Sequence, residues 1–393
     1  MTTRILLVEG SEDGTTGGSH RSLADLARLL RPRGYDTRVV FYEDNAIAVE
    51  LRQFGIPVQI WARDRERVAS HARFAKFSAR LAVLPRIRRR WQYLRSQQIS
   101  LVHLNNAPTL GFEDWLPAAR LARIPCITHM RGDVAPYMPG TRIGRLLVRS
   151  FDRVIAISRH IVTAAERIGV PPQRVTLVYN GIDVDAWRAS VTRPQVVVRS
   201  ELGIAPDAHV VTMVGNIRDW KGQHLLLDAI ARLPEASRTG LRVLFVGDVG
   251  QADQSYYERL RRRVEAARLG SVVAFLGARS NVAEIMNASD VIVHASVRPE
   301  PFGRVLLEAM ALGKPLLAPR LGGPAEMLTS DCGVLYEPDS SEDLARQLGR
   351  IRDDATWGAG LGKRAIERAR VFDVARTVDG VVRVYEELLG AAE

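Results

Sequence analysis

Two short runs hold the residue types needed for chemistry on an anionic, hydroxyl-rich substrate. The first is Gly215-Asn216-Ile217-Arg218-Asp219-Trp220-Lys221-Gly222, which follows an apolar run at 210–214 and opens a helical pattern at 222–233. Its glycines permit close backbone approach. A helix start offers free N–H groups and the positive end of a dipole, which favours anions. Arg218 can grip a phosphate through two parallel hydrogen bonds, while Lys221 adds a point charge. A diphosphate site fits this run; so does a pair of solvated surface cations. The second is Pro299-Glu300-Pro301-Phe302-Gly303-Arg304-Val305-Leu306-Leu307-Glu308, placed after an apolar run at 291–293. A helix is expected from about Gly303 to Gly313, with Pro315 beyond it. Glu300 then stands ahead of the helix and Glu308 within it. The amides of Phe302, Gly303, Arg304 and Val305 point forward with the dipole. Either carboxylate can accept hydrogen bonds from two adjacent hydroxyls, as on a ribose or hexose.

Two further features are weaker. The run Gly14-Thr15-Thr16-Gly17-Gly18-Ser19 follows the first apolar segment and could cradle a phosphate or simply turn the chain. It lacks the G-x-G-x-x-G spacing of a nicotinamide site. His129 ends the run at 126–129, where a parallel strand would point it at the usual ligand crevice; a satisfied structural histidine is the plainer alternative. The triplet Arg131-Gly132-Asp133 carries little by itself. The eight histidines show no zinc-like spacing. No nucleophile elbow appears.

The elements that must position these residues alternate regularly. Nearly continuous apolar runs at 5–8, 37–41, 58–60, 101–104, 126–129, 154–157 and 175–178 suit parallel strands buried on both faces. Helical patterns lie between most of them, notably at 19–31. The period pauses over 183–194, which reads as a linker. A second series follows at 210–214, 243–246, 272–276, 291–293, 315–318 and 334–336, with helices expected at 222–233, 256–269, 305–312, 343–351, 356–370 and 374–389. The chain is thus expected to be α/β, with two similar doubly wound halves. At 393 residues, with 46% apolar and 25% charged side chains, it has ordinary globular composition. Cys126 and Cys332 are too few for a disulfide framework, and no apolar run suits a signal peptide or a membrane span.

The net charge of +11 is local. Residues 63–95 contain eleven Arg or Lys and only Asp64 and Glu66. Val68, Ala72, Ala75, Ala79 and Ala82 form one apolar stripe. Leu84, Ile87, Trp91 and Leu94 form another after a break expected at Pro85. Arginines beside Trp91 and Tyr93 suit an anionic membrane surface or a lipid-phosphate acceptor; a solvated helix face is the alternative. No nucleic-acid-binding motif is present.

Taken together, these motifs resemble the retaining, nucleotide-sugar-dependent glycosyltransferases of the bacterial group 1 family. The marks are EPFGRVLLEAMALGKP with its Glu300-x7-Glu308 spacing, GNIRDWKG from Gly215, Gly17-Gly18, VIAIS up to Ser158, VYNGID around Asn180, and GGPAE from Gly322 to Glu326. The resemblance implies the GT-B architecture: two facing Rossmann-like domains, an acceptor domain over 1–183 and a donor domain over 184–372. A C-terminal helix over 373–393 would pack back on the first domain. It implies transfer of a hexose-type sugar from a UDP or GDP donor to a hydroxyl of a glycan, glycolipid or glycoconjugate, without metal or other cofactor. Arg218 and Lys221, with Gly17 and Gly18, would meet the donor diphosphate. Glu300, Phe302, Gly303, Arg304, Val305 and Glu308 would meet the donor sugar and ribose, and His129 would lie beside the sugar. A cytoplasmic protein at the inner face of the cell membrane is expected, touching anionic lipid through 63–95. A nucleotide-sugar epimerase and a non-catalytic scaffold subunit are the competing readings.

Overall fold

The computed structural model describes residues 3–10, 17–61, 73–106, 114–133 and 148–390, and the side chains of all of these except 73–83. The loop at Gly14–Thr16 and the first part of the basic window lie outside these residues. The chain divides into two units, residues 1–180 with 375–393, and residues 181–374.

The first unit holds β1 (Thr3–Glu9), β2 (Tyr35–Phe41), β3 (Val58–Ile60), β4 (Leu101–Asn105), β5 (Cys126–Met130), β6 (Arg153–Ala156) and β7 (Val175–Leu177). They form one sheet in the order β3-β2-β1-β4-β5-β6-β7, with every pairing parallel. Helices lie between most of them, since parallel strands need a crossover connection. The middle strands are apolar on both faces because both are covered: Ile5, Leu6, Leu7 and Val8 are all fully buried.

The second unit repeats the plan with β8 (His209–Val214), β9 (Leu241–Val246), β10 (Val273–Gly277), β11 (Val291–Val293), β12 (Leu316–Pro319) and β13 (Val334–Tyr336). The sheet order is β10-β9-β8-β11-β12-β13. Its core gathers Val211, Phe245, Leu317, Tyr336, Leu344 and Leu361. The α/β, doubly wound expectation therefore holds in both halves. Each sheet reverses its winding once, between β1 and β4 in the first and between β8 and β11 in the second. Loops diverge there and leave a crevice beyond the carboxyl ends of the strands.

Two expectations are corrected. The stretch 183–194 is not a bare linker. Asp183 caps a helix, Val184–Ala189, by accepting from the Ala186 amide at 2.8 Å, and Asp185 complements the dipole in its first turn. Trp187 Nε1 donates to the Glu308 carbonyl at 3.1 Å and Arg188 to the Ala311 carbonyl at 2.7 Å. These bonds fasten the segment to the helix that carries Glu308. Pro85, in turn, does not break its helix, which runs from Arg73 to Ser96. Leu84 and Pro85 lie on its exposed face, and the fixed φ of proline is itself helical.

The last helix, Val374–Gly390, belongs to the first unit from Ala375 onward. Arg33 pairs with Asp379 at 2.6 Å, Arg153 pairs with Glu387 at 2.9 Å, and Thr377 donates to the Tyr179 carbonyl at 2.8 Å.

Candidate functional site

In the second unit the polar cluster forms at the winding reversal. The chain leaves β8 into Gly215–Gly222 and leaves β11 into His294-Ala295-Ser296 and Glu300. Lys221 Nζ lies 2.7 Å from Glu300 Oε2. The same oxygen accepts from Ser296 Oγ at 3.2 Å and lies 3.6 Å from His294 Nε2. Burial pushes the Glu300 carboxyl up, but the charges and hydrogen bonds around it, those of Lys221 foremost and that of Ser296 among them, together outweigh burial and hold the group below the usual glutamate range. Burial pushes His294 down to about 4, so at neutral pH the cluster holds one anion, one cation and a neutral imidazole. Lys221 also stands over the Trp220 ring, 4.1 Å from its centroid. Arg218 is half-buried, with its Nε 3.8 Å from Asp253 Oδ2.

Two glycine contacts hold the Glu300 loop in place. Gly222 has φ +78°, and a Cβ there would lie 1.9 Å from the Ala295 carbonyl oxygen. On the other side a Cβ at Gly323 would lie 2.5 Å from Phe302 Cα, while the Gly323 amide donates to the Glu300 carbonyl at 2.8 Å. Gly222 in GNIRDWKG and Gly323 in GGPAE thus serve one purpose, letting backbone pack directly on the loop that carries Glu300. Gly303, at φ +99°, turns that loop into the helix Arg304–Ala311. Phe302 is buried against Phe372. Arg304 Nε donates to Glu308 Oε1 at 3.1 Å, one helical turn on. Burial raises the Glu308 carboxyl, and Arg304 only partly offsets that.

In the first unit the second cluster forms at the other reversal. Glu9, Asn105 and His129 are neighbours across β1, β4 and β5, and all three are fully buried. The Asn105 amide donates to Glu9 Oε2 and to the Ser19 carbonyl. Arg131 Nε donates to Asn105 Oδ1 at 2.8 Å, and another of its nitrogens donates to Asn180 Oδ1. Gly17 precedes the helix Gly18–Leu30, and a Cβ there would meet nothing within 4 Å.

The structure therefore gathers Lys221 and Glu300 directly. It sets Phe302, Gly303, Arg304, Val305 and Glu308 on the adjoining loop and helix start, and keeps Arg218 in the turn before Lys221. Gly17, Gly18 and His129 belong to the first unit. Sequence reasoning missed His294 and Ser296. Their signal was available, since His294 stands at the carboxyl end of β11 much as His129 stands near that of β5. It also missed Glu9 and Asn105, whose pairing needs the register of two strands distant in sequence. Among the described residues no group of three or more His, Cys, Asp or Glu could hold a metal ion.

In the basic window, Arg86 and Arg90 turn inward and pair with Asp114 at 2.9 and 3.3 Å. Arg89 and Arg90 stack on Trp61, 4.9 and 5.5 Å from its centroid. Arg88, Arg89 and Arg95 are exposed. No helix among the described residues is long and apolar enough to cross a membrane.

Two Rossmann-like sheets in one chain, with a charged cluster at the winding reversal of each, define the GT-B class of nucleotide-sugar enzymes. The chain belongs to the group 1 glycosyltransferases: the family profile "Glycosyl transferases group 1" matches residues 197–371 and "Glycosyltransferase Family 4" matches 16–186. A D-inositol 3-phosphate glycosyltransferase of Corynebacterium aurimucosum is 30% identical over 230 residues, 57% of this chain and 54% of the relative. An N-acetyl-alpha-D-glucosaminyl L-malate synthase of Bacillus anthracis is 27% identical over 271 residues, 68% of either chain. The chain spans about half the length of the first curated relatives it matches. The crystal structure of HepE of Anabaena with UDP-glucose superimposes with a TM-score of 0.83 at 28% identity, covering 98% of this chain and 100% of that one.

Proposed function

We propose that this protein transfers a hexose from a UDP-sugar to a hydroxyl of a glycan, glycolipid or glycoconjugate, with retention and without a metal ion. The observation that carries this reading is the buried Lys221–Glu300 pair, 2.7 Å apart at the winding reversal of the second sheet. The likeness to HepE, whose structure contains UDP-glucose, favours a uridine donor.

Breaking the bond from the anomeric carbon to the phosphate oxygen leaves positive charge on the sugar and negative charge on UDP. Arg218, Lys221 and the amides opening the helix Arg304–Ala311 would stabilise the second charge; such preorganised charge is often the largest catalytic contribution. Lys221 is held by Glu300, so it need not be ordered as the reaction proceeds. Glu300 would accept from sugar hydroxyls and Glu308 from those of the ribose. The acceptor oxygen would bond to the anomeric carbon on the face that UDP leaves, its proton passing to the departing phosphate. Gly17, Gly18 and His129 would serve the same reaction from the first unit. Arg88, Arg89 and Arg95 would meet anionic lipid at the inner membrane face.

The test is to incubate the full chain with UDP-glucose and resolve the products. A transferase releases UDP, slowly by hydrolysis without an acceptor and faster with one. An isomeric UDP-sugar in place of UDP would establish the epimerase reading, and an unchanged donor that nevertheless binds would establish the scaffold.

A further inference from the structure

His129, the next-to-last residue of β5, is fully buried, and its Nε2 has no hydrogen-bond partner among the described residues. Its other ring nitrogen faces an Arg131 guanidinium nitrogen at 3.4 Å. Guanidinium only donates, so Nδ1 must present its lone pair, and the neutral ring carries its proton on Nε2. A buried N–H without an acceptor calls for a partner, and a bound ligand is the natural one. Against the His129 ring lies that of His103, with centroids 5.3 Å apart and planes 14° from parallel. His103 Nδ1 meets the Tyr385 hydroxyl at 2.6 Å, and its Nε2 has no partner. Counting protons assigns this bond. If the hydroxyl donates to Nδ1, one group, the Nε2–H, is left unpaired. If Nδ1 donates instead, both the hydroxyl proton and the Nε2 lone pair are left over. The first arrangement is therefore the stable one. Tyr385 comes from the last helix of the chain.

We propose that Arg131, His103 and Tyr385 are positioning residues that hold His129 as an uncharged Nε2–H donor toward an oxygen of the bound substrate, and not as a proton acceptor. This rests on placing His129 beside the substrate. Burial, then the Arg131 charge, then His103 all push His129 well below the ordinary histidine range. Burial and Arg131 likewise carry His103 down to about 3. The nearby Glu9 carboxylate is engaged by Asn105 and does not reverse this.

The test uses the full chain labelled with ¹⁵N-histidine. Long-range proton–nitrogen spectra of the imidazoles are recorded from pH 6 to 8, and the two rings are assigned by their loss in His129→Asn and His103→Asn. Both are expected as neutral Nε2–H tautomers that do not titrate. Tyr385→Phe, which removes one hydroxyl, should release His103 into a mixture of tautomers. It should also lower kcat roughly tenfold with KM for UDP-glucose changed less than about twofold. Arg131→Lys should keep the His129 tautomer. Arg131→Gln, whose amide oxygen can accept, should let Nδ1 take the proton. A cationic or Nδ1–H His129 in the parent protein overturns the proposal, as does a Tyr385→Phe variant with unchanged spectra and kcat. The spectra decide the assignment independently: a parent that turns over no nucleotide sugar contradicts the functional reading and leaves the tautomer result standing.

Discussion

At the scale of residues, the Lys221–Glu300 pair couples two roles that sequence could only place side by side. Lys221→Ala removes both the proposed donor to phosphate and the chief partner that lowers the Glu300 carboxyl. Loss of one preorganised donor of this kind costs about 10²–10³ in rate, so kcat for UDP release should fall by that much in a protein whose far-UV circular dichroism is unchanged. Near-parental turnover would remove Lys221 from the reaction. His294 makes a separate prediction. Its folded pKa, about 4, lies below the ordinary value of 6.5. Between those values the unfolded chain binds more protons than the folded one, so stability falls as pH drops below about 6.5. By pH 5 the loss should be on the order of 2 kcal/mol. Comparing urea midpoints at pH 7.5 and 5.0 tests it: His294→Gln should shrink the difference, while His103, His129 and His209, pushed the same way by burial, contribute to what remains.

At the scale of elements, the apolar runs were readable as strands because both faces of a parallel sheet are covered. Local signals failed where a tertiary contact decided the outcome. The helix Val184–Ala189 is short, and its anchor, Trp187, bonds to a carbonyl 121 residues away. Pro85 looked like a break because its exposure on the helix face is invisible in sequence. Glu300 and Glu308 were legible from their spacing around a helix start, whereas the Glu9–Asn105 pair was not, because register between distant strands leaves no local trace. The glycine motifs were legible only as motifs; the structure supplies their reason. Gly222→Ala should displace the Ala295 carbonyl and the loop beyond it. The expected cost is at least about 1–3 kcal/mol, with loss of UDP affinity, checked by urea titration and calorimetry. In the basic helix, Arg88 and Arg95 changed together to Gln should weaken binding to anionic vesicles without loss of stability, whereas Arg89 also stacks on Trp61. Arg86 and Arg90 are unsuitable targets, since both pair with the nearly buried Asp114. Equal binding by parent and variant would contradict a membrane role for this face.

At the scale of the whole molecule, one winding plan is used twice, and each copy puts its polar residues at the same topological position. That repetition was visible in the alternating pattern of the sequence, and it explains why charged motifs so far apart follow equivalent strands. The central claim is that the second copy holds the nucleotide donor on Lys221, Glu300 and Glu308. It is tested most directly by the melting temperature of the full chain with UDP, UDP-glucose, GDP and ADP, in the parent, Lys221→Ala and Glu308→Ala proteins. A ligand at a hundred times its Kd stabilises the folded state by about 2.7 kcal/mol. The expected result is a rise of several degrees with UDP and UDP-glucose in the parent, smaller rises with GDP and ADP, and loss of the uridine effect in both variants. No rise with any nucleotide, or the same rise in Lys221→Ala as in the parent, would contradict it.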